Sequence, residues 1–241
     1  MKFIPIAITL IVASLLITSC SKDKDDKQKS CRVTAATVTG SGSTTSYVLS
    51  YDDQDRLASV QSTSGGSVDV SLFTYTNNVI LITRATNGTI GSVDSIVLNG
   101  AGLLQYLKNR TVGSNDYSES VVTYNGNEVT TITSSSNGGS TNSQTAVFSG
   151  GNLSSIAYGS SISTYAYDTQ HEFQPGDYLY FAQYSQYGCF YIKNKNVLQS
   201  TTSGSSTQQF NYTYDSDGRI SGAQVISGSS ISSLAYTYSC D

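Results

Sequence analysis

The chain of 241 residues contains no Trp, one Met, one His and two Pro, and only 12 % of its residues are charged. A single imidazole, His171, leaves no His-rich zinc site and no pair of imidazoles for acid–base work. Sparse charge excludes a coiled coil stitched by charged flanks, and a net charge of −4 excludes the basic footprint of a nucleic-acid binder. No G-x-S-x-G elbow, H-E-x-x-H, P-loop or G-x-G-x-x-G occurs, so neither a cofactor nor a metal is expected. What is abundant points one way. Ser and Thr make up a little over a quarter of the chain, beside 18 Tyr, 7 Phe and 21 Gly, with 38 % hydrophobic residues overall. Aromatic and β-branched residues outnumber good helix formers, which predicts an all-β body with a packed interior.

The long apolar run lies at the amino terminus. Met1 and Lys2 precede an apolar stretch over residues 3–17, which stops at Thr18, Ser19 and Cys20. At about 15 residues, with Pro5 inside it, this run is shorter than the roughly 20 a spanning helix needs, and it reads as an export signal over residues 1–19. The tetrad Ile17-Thr18-Ser19-Cys20 resembles the lipobox of bacterial lipoproteins, in which the Cys is acylated and becomes the first residue. That resemblance implies a lipid anchor on Cys20, since several acyl chains at about 0.8 kcal/mol per buried methylene hold a protein on a membrane without a spanning segment. The tract Ser21-Lys22-Asp23-Lys24-Asp25-Asp26-Lys27 resembles the surface-export signal of Bacteroidetes lipoproteins. It also reads as a solvated tether over residues 20–30, because alternating charge without apolar residues cannot fold alone.

From residue 31 onward a short aromatic-ended strand followed by an Asp/Asn/Gly turn keeps returning. The residues before the turn fall at Tyr51, Tyr75, Leu98, Tyr124, Phe148, Tyr167, Tyr214 and Tyr238, mostly 23 to 26 apart, and the step of 47 from Tyr167 to Tyr214 equals about two units. Ser/Gly-rich turns lie between them, so each unit is a hairpin. Within an arm the apolar residues alternate: Tyr47, Leu49 and Tyr51 share one face, and so do Phe210, Tyr212 and Tyr214. One face is buried and the other wet, as an antiparallel sheet allows. The copies at 47–60 and 212–223 resemble the tyrosine–aspartate repeats of Rhs-type bacterial proteins, with Asp55 standing where the pattern has Gly. Lipobox, tether and degenerate repeats together resemble a family of Bacteroidetes lipoproteins of unassigned activity with a porin-like fold.

Counting arms gives about sixteen strands in one meander, twelve up to Asp168 and four after Asn196, with strands of about eight residues. A sheet of sixteen strands must curl into a barrel or half-barrel, and a closed barrel of that size encloses a lumen that ordinary side chains cannot fill. Residues 169–195 break the repeat and supply a filler. Residues 169–176, with His171, read as a loop. The following run carries Tyr178, Tyr180, Phe181, Tyr184, Tyr187, Phe190 and Tyr191, with Tyr180, Tyr184, Tyr187 and Tyr191 at helical spacing and Asp177 placed to cap. A short helix or aromatic loop plugging the concave side is predicted. A membrane-spanning barrel is disfavoured by short strands, by the lack of Trp and by redundancy with a lipid anchor.

With Cys20 acylated, Cys31, Cys189 and Cys240 remain. An even number of meander strands brings residues 31 and 240 to one rim, so a closed sheet makes them neighbours; a pair using Cys189, or three reduced thiols, are the alternatives. Asp94, Asp116, Glu119, Glu128, Glu172 and Asp177 are the carboxylates available for hydrolysis, and nothing in their spacing pairs them. The turn Asp215-Ser216-Asp217-Gly218 has oxygens for Ca²⁺ but lacks the later bidentate Glu, and turn chemistry explains it. Asp94-Ser95-Ile96 resembles the Bacteroidetes O-glycosylation acceptor. A single β-meander domain over residues 31–241 is expected, non-enzymatic, displayed on the cell surface and anchored to the outer membrane through lipid. Its expected role is binding an extracellular glycan or peptide through Tyr178, Tyr180, Tyr184, Tyr187 and Tyr191. The alternative is a structural or adhesive envelope component with no small-ligand site.

Overall fold

The computed structural model describes residues 31–40, 42–137 and 139–240. The signal at 1–19, the lipobox Cys20 and the tether at 20–30 lie outside the described residues. The strands are β1 (Cys31–Gly40), β2 (Ser43–Tyr51), β3 (Leu57–Ser64), β4 (Ser67–Thr76), β5 (Val79–Thr86), β6 (Thr89–Leu98), β7 (Leu104–Thr111) and β8 (Tyr117–Asn125). They continue as β9 (Glu128–Ser136), β10 (Asn142–Ser149), β11 (Asn152–Tyr158) and β12 (Ser161–Glu172); a helix, α1 (Tyr178–Tyr187), precedes β13 (Asn196–Ser203), β14 (Ser206–Tyr214), β15 (Ile220–Ser227) and β16 (Ser230–Cys240). Each strand pairs antiparallel with its neighbours in sequence, and β1 pairs with β16, so the sixteen strands form a closed barrel.

Closure follows from local chemistry repeated around the ring. Most hairpins turn on two residues, such as Asn87-Gly88 between β5 and β6, where both residues have positive φ, 50° and 80°. That conformation matches the twist of the flanking strands. The seam obeys the same register rule as every other pair, running from Cys31 opposite Cys240 to Gly40 opposite Ser232 with one bulge after Val33. A disulfide joins Cys31 to Cys240 at the rim where β1 begins and β16 ends.

Alternation decides what faces the lumen. Leu49 is 4 % exposed while its neighbour Val48 is 57 % exposed. On the outside, single apolar side chains such as Leu72, Val147, Ile162 and Ile231 stand among exposed Thr and Ser, including Thr37, Ser46, Thr74, Thr145, Thr164 and Thr213. A spanning barrel needs a continuous apolar band at that position. The expected strand length of about eight residues is too short in several places, since β4 and β6 have 10 residues and β16 has 11. Two-residue turns let pairing run up to the hairpin tip. Strand length therefore does not argue against a spanning barrel, and the polar outer face does.

The break in the repeat is narrower than residues 169–195. β12 continues to Glu172, which pairs with Asn196 across a bulge. His171 is consequently a strand residue rather than a loop residue, its ring stacked on Tyr214 with centroids 4.7 Å apart and its Nδ1 2.6 Å from Asp168 Oδ2. The remaining segment turns inward at the Cys31 rim, and α1 lies across the lumen near that end. A helix of 10 residues is about 15 Å long at 1.5 Å per residue, enough to cross from the β13–β14 wall to β5. Around it lies the buried core, including Leu57, Ile82, Ile96, Leu153, Val197 and Ile220.

Candidate functional site

The site begins with how α1 is held. Asp177 is its N-cap: the Tyr180 N–H donates to Oδ1 at 3.1 Å, and the Leu198 N–H of β13 donates to Oδ2 at 2.7 Å. The Tyr212 hydroxyl also donates to Asp177 Oδ2, at 3.4 Å, and accepts from the Tyr178 N–H at 3.3 Å. Burial raises the Asp177 pKa above the ordinary carboxylate value, outweighing these donors. The sequence-predicted cap is thus also the bolt that fixes the helix to the wall.

The other end is pinned as firmly. Gly188 closes α1 with φ 65°, its N–H donating to the Tyr184 carbonyl at 2.8 Å. A Cβ there would meet the Tyr75 hydroxyl at 2.9 Å. On β5, Arg84 Nη2 donates to the Gln186 carbonyl at 2.6 Å, supplying a cation to the helix C-terminus where backbone carbonyls lack partners. Past the helix, Gln183 Oε1 accepts from the Tyr191 and Ile192 N–H groups, which turns the chain back toward β13.

The two faces of α1 do different things. Tyr178, Phe181, Ala182, Ser185 and Gln186, spaced by three or four, form the floor of a cavity of about 610 Å3 between the helix and the far rim. Its walls include Tyr47, Ser62, Asp69, Ser71, Arg84, Thr86 and Ser92. Ala182 and Gln186 are exposed although the helix lies inside the barrel, so the cavity is open to solvent. On the opposite face Tyr180 stacks with Phe190 at 3.9 Å and contacts Phe173 at 4.0 Å, and Tyr184 stacks with Phe190 at 5.3 Å.

The five candidate rings therefore do not form one groove. Tyr178 lines the large cavity. Tyr180 and Tyr184 line a second, of about 190 Å3, beside Cys31, Val33 and Tyr51 at the Cys31 rim. Tyr187 and Tyr191, whose rings meet edge to face at 6.4 Å, line a third of about 160 Å3 beside Leu104 and Val122. Burial raises the Tyr180 and Tyr184 hydroxyl pKa values and pushes that of Tyr191 up to about 12. Helical spacing grouped these rings, but the helix stops at Gly188, and Tyr191 belongs to the returning chain.

The luminal polar cluster escaped the sequence reading. Arg84 Nε donates to Asp94 Oδ2 at 2.8 Å and Nη1 to Ser71 Oγ at 3.0 Å, while Asn109 Nδ2 donates to Asp94 Oδ1. A signal for it exists: Asp69, Arg84 and Asp94 occupy the same alternating phase as Phe73, Ile82 and Ile96, so each charge points inward. The other carboxylates are dispersed. Asp116 caps a turn with Ser114 and Asn137, and Glu119 pairs with Lys108. Burial pushes the Cys189 thiol up to about 12. The Asp215 carboxylate is occupied by the N–H groups of Asp217 and Arg219 and by Arg219 Nε at 2.7 Å, which is turn chemistry. Among the described residues no group of three or more His, Cys, Asp or Glu is arranged to hold a metal ion.

The barrel has solved counterparts of similar fold. The chain is similar to a porin-like protein from Bacteroides uniformis, 14 % identical, covering 86 % of this chain and 96 % of that one with a TM-score of 0.63. It is equally similar to a porin-like protein from Bacteroides vulgatus, 16 % identical, covering 87 % of this chain and 99 % of that one with a TM-score of 0.63. The fold is porin-like. No family model matches the chain, and no curated protein matches it. At this identity the likeness concerns the barrel alone, and the porin-like barrel here carries its helix and its cavity as features to be interpreted from its own residues.

Proposed function

We propose that this porin-like barrel is a non-enzymatic envelope protein that binds an extracellular glycan in the cavity above α1. The observation that carries the reading is the cavity itself. Its volume of about 610 Å3 falls within the roughly 300–1,000 Å3 typical of ligand pockets. It combines the rings of Tyr47, Tyr178 and Phe181 with the hydroxyls of Ser62, Ser71 and Ser185, the amide of Gln186 and the carboxylate of Asp69. Flat apolar faces beside clustered donors and acceptors suit a sugar, whose ring presents a C–H face and a rim of hydroxyls.

The topology fits attachment through Cys20 at the outer membrane. Cys31 lies on the rim opposite the cavity mouth, and ten intervening residues reach at most about 35 Å when extended. The body then stands with its disulfide rim toward the lipid and its open rim outward, at the cell surface. Protease treatment of whole cells should remove the body, and its protection would refute surface display.

The binding test uses the full-length protein on an array of oligosaccharides, followed by calorimetry. Ala182→Trp fills the cavity from an exposed position on its floor, so it should abolish saturable saccharide binding while leaving the melting temperature in place. Saccharide binding that survives Ala182→Trp, or the capture of peptides alone, overturns the proposal. A structural or adhesive envelope role is favoured by a different observation, the stacked rings of Phe173, Tyr180, Tyr184 and Phe190, which act as plug. Absence of any bound ligand would leave that reading in possession.

A further inference from the structure

The charges around the large cavity are not equivalent. Arg84 is committed on every side: to Asp94 through Nε and Nη2, to Ser71 through Nη1 and to the Gln186 carbonyl through Nη2. Asp94 is only 3 % exposed and also accepts from Asn109. This pair cancels its own charge and serves to tie β5, β6 and β7 to the helix. Asp69 is different. It sits one strand away, opposite Thr86 in the β4–β5 register, exposed toward the mouth, and accepts from the Thr86 hydroxyl at 2.5 Å. Among the described residues no basic side chain lines the cavity besides the committed Arg84. The Asp69 charge reaches two strands along the wall, adding to burial and to Tyr178 in holding the Tyr47 hydroxyl of β2 above its ordinary pKa.

The cavity therefore presents one uncompensated negative charge beside the aromatic floor. A neutral sugar donates hydroxyl hydrogens to such a carboxylate and gains charge-assisted hydrogen bonds. A uronic acid brings a second anion into a partly enclosed site, where like charges a few ångströms apart repel far more than in bulk water. We propose that Asp69 is the charge filter of the site: the cavity takes neutral saccharides and rejects those bearing carboxylates. The inference rests on the glycan-binding reading above and names the ligand class within it.

The test compares a neutral oligosaccharide retained on the array with its uronic-acid counterpart, by calorimetry at low salt, on the full-length protein and on Asp69→Asn. Asn keeps an oxygen for the Thr86 hydroxyl, so the fold is preserved and only the charge is lost. The expected result is a preference of at least about ten-fold for the neutral sugar that shrinks several-fold in Asp69→Asn and weakens as salt is raised. A matched amino sugar, bound at least as well as the neutral one, supports the same carboxylate. Equal affinity for the acidic sugar, or a preference unchanged in Asp69→Asn, overturns the charge filter while leaving glycan binding intact. Failure of every saccharide to bind would remove the glycan reading and this inference with it.

Discussion

The Tyr238 hydroxyl donates to the Ile220 carbonyl at 2.6 Å. The same contact joins Tyr51 to Val33 at 2.6 Å and Tyr75 to Leu57 at 2.9 Å, each time to a residue 18 positions earlier, and Tyr124 to Leu104 after 20 positions. In three of the four, the residue just before the accepting carbonyl is an Arg stacked on the same ring: Arg32 over Tyr51, Arg56 over Tyr75 and Arg219 over Tyr238, at 4.9, 4.3 and 5.8 Å. At these four of the eight repeat positions the recurring Tyr is thus a rim lock, holding the start of one strand to the end of the next, whereas Leu98 and Phe148 stand at the same place without a hydroxyl. The turn preceding it is equally uniform. Asp52 and Asp215 each accept from the N–H two and four residues on and from the Nε of the Arg four residues on, and Asn99 repeats the backbone part with Leu103 in place of Arg.

Removing one lock should be measurable without breaking the barrel. Tyr238→Phe keeps the ring and the cation stack but leaves the Ile220 carbonyl unpaired. A loss of about 1 kcal/mol is expected in urea unfolding, with an unchanged slope. Tyr158→Phe, whose hydroxyl meets only the exposed Asn142 side chain, should cost less. Equal effects would show that the rim contact has no special weight.

The disulfide Cys31–Cys240 spans 209 residues of sequence and joins strands that are already paired along the seam. In the chain-entropy model a loop that long is worth about 5 kcal/mol, acting through the unfolded chain. Cys31→Ser/Cys240→Ser should therefore lower the melting temperature substantially while far-UV circular dichroism at low temperature stays that of a β-barrel. Loss of the β signal itself would mean that the seam register cannot close the barrel unaided.

Much of this barrel is legible in the sequence because its causes are local. Alternation in Tyr47, Leu49 and Tyr51 fixes the inward face, and Asn/Gly turns fix hairpin length, so strand count and the curling of the sheet follow, while the choice between barrel and half-barrel is decided only by the β1–β16 seam. Asp177 as a cap is legible for the same reason. The cavity is not, because Tyr47, Asp69, Arg84 and Phe181 meet only after the sheet curls and the helix crosses it. The insertion boundary misleads for a related reason: Thr169, Gln170, His171 and Glu172 look like loop residues, yet Glu172 finds Asn196 across a bulge that no spacing announces.

Acid should loosen the rim in a way that identifies the turn carboxylates. The Asp215 pKa is lowered first by the Arg219 N–H and then by the Arg219 side chain and the Asp217 N–H, against partial burial. A carboxyl whose folded pKa lies below its unfolded one contributes stability that is present above about pH 4 and is lost as the pH falls through the folded value. Asp215→Asn, which keeps the oxygen that Asn99 uses in the equivalent turn, should flatten the decline of the urea midpoint below pH 4. An acid limb identical to that of the parent would exclude Asp215 from the transition.

Cys189 offers a probe of whether the plug is rigid. Its thiol is 5 % exposed, sits one residue past the helix C-cap, and burial pushes its pKa up to about 12, so it should resist thiol reagents at neutral pH until the barrel unfolds. Gly188→Ala attacks the cap directly. It forces a side chain into a left-handed conformation and against the Tyr75 hydroxyl and the Phe73 ring, at 2.9 and 3.0 Å from the new Cβ. A cost of about 1–3 kcal/mol is expected, concentrated in the helix and not in the strands. Labelling of Cys189 should then accelerate many-fold under conditions where the β signal is unchanged. If labelling and global unfolding stay at the same rate in Gly188→Ala, the helix and barrel form one cooperative unit and the plug does not open on its own.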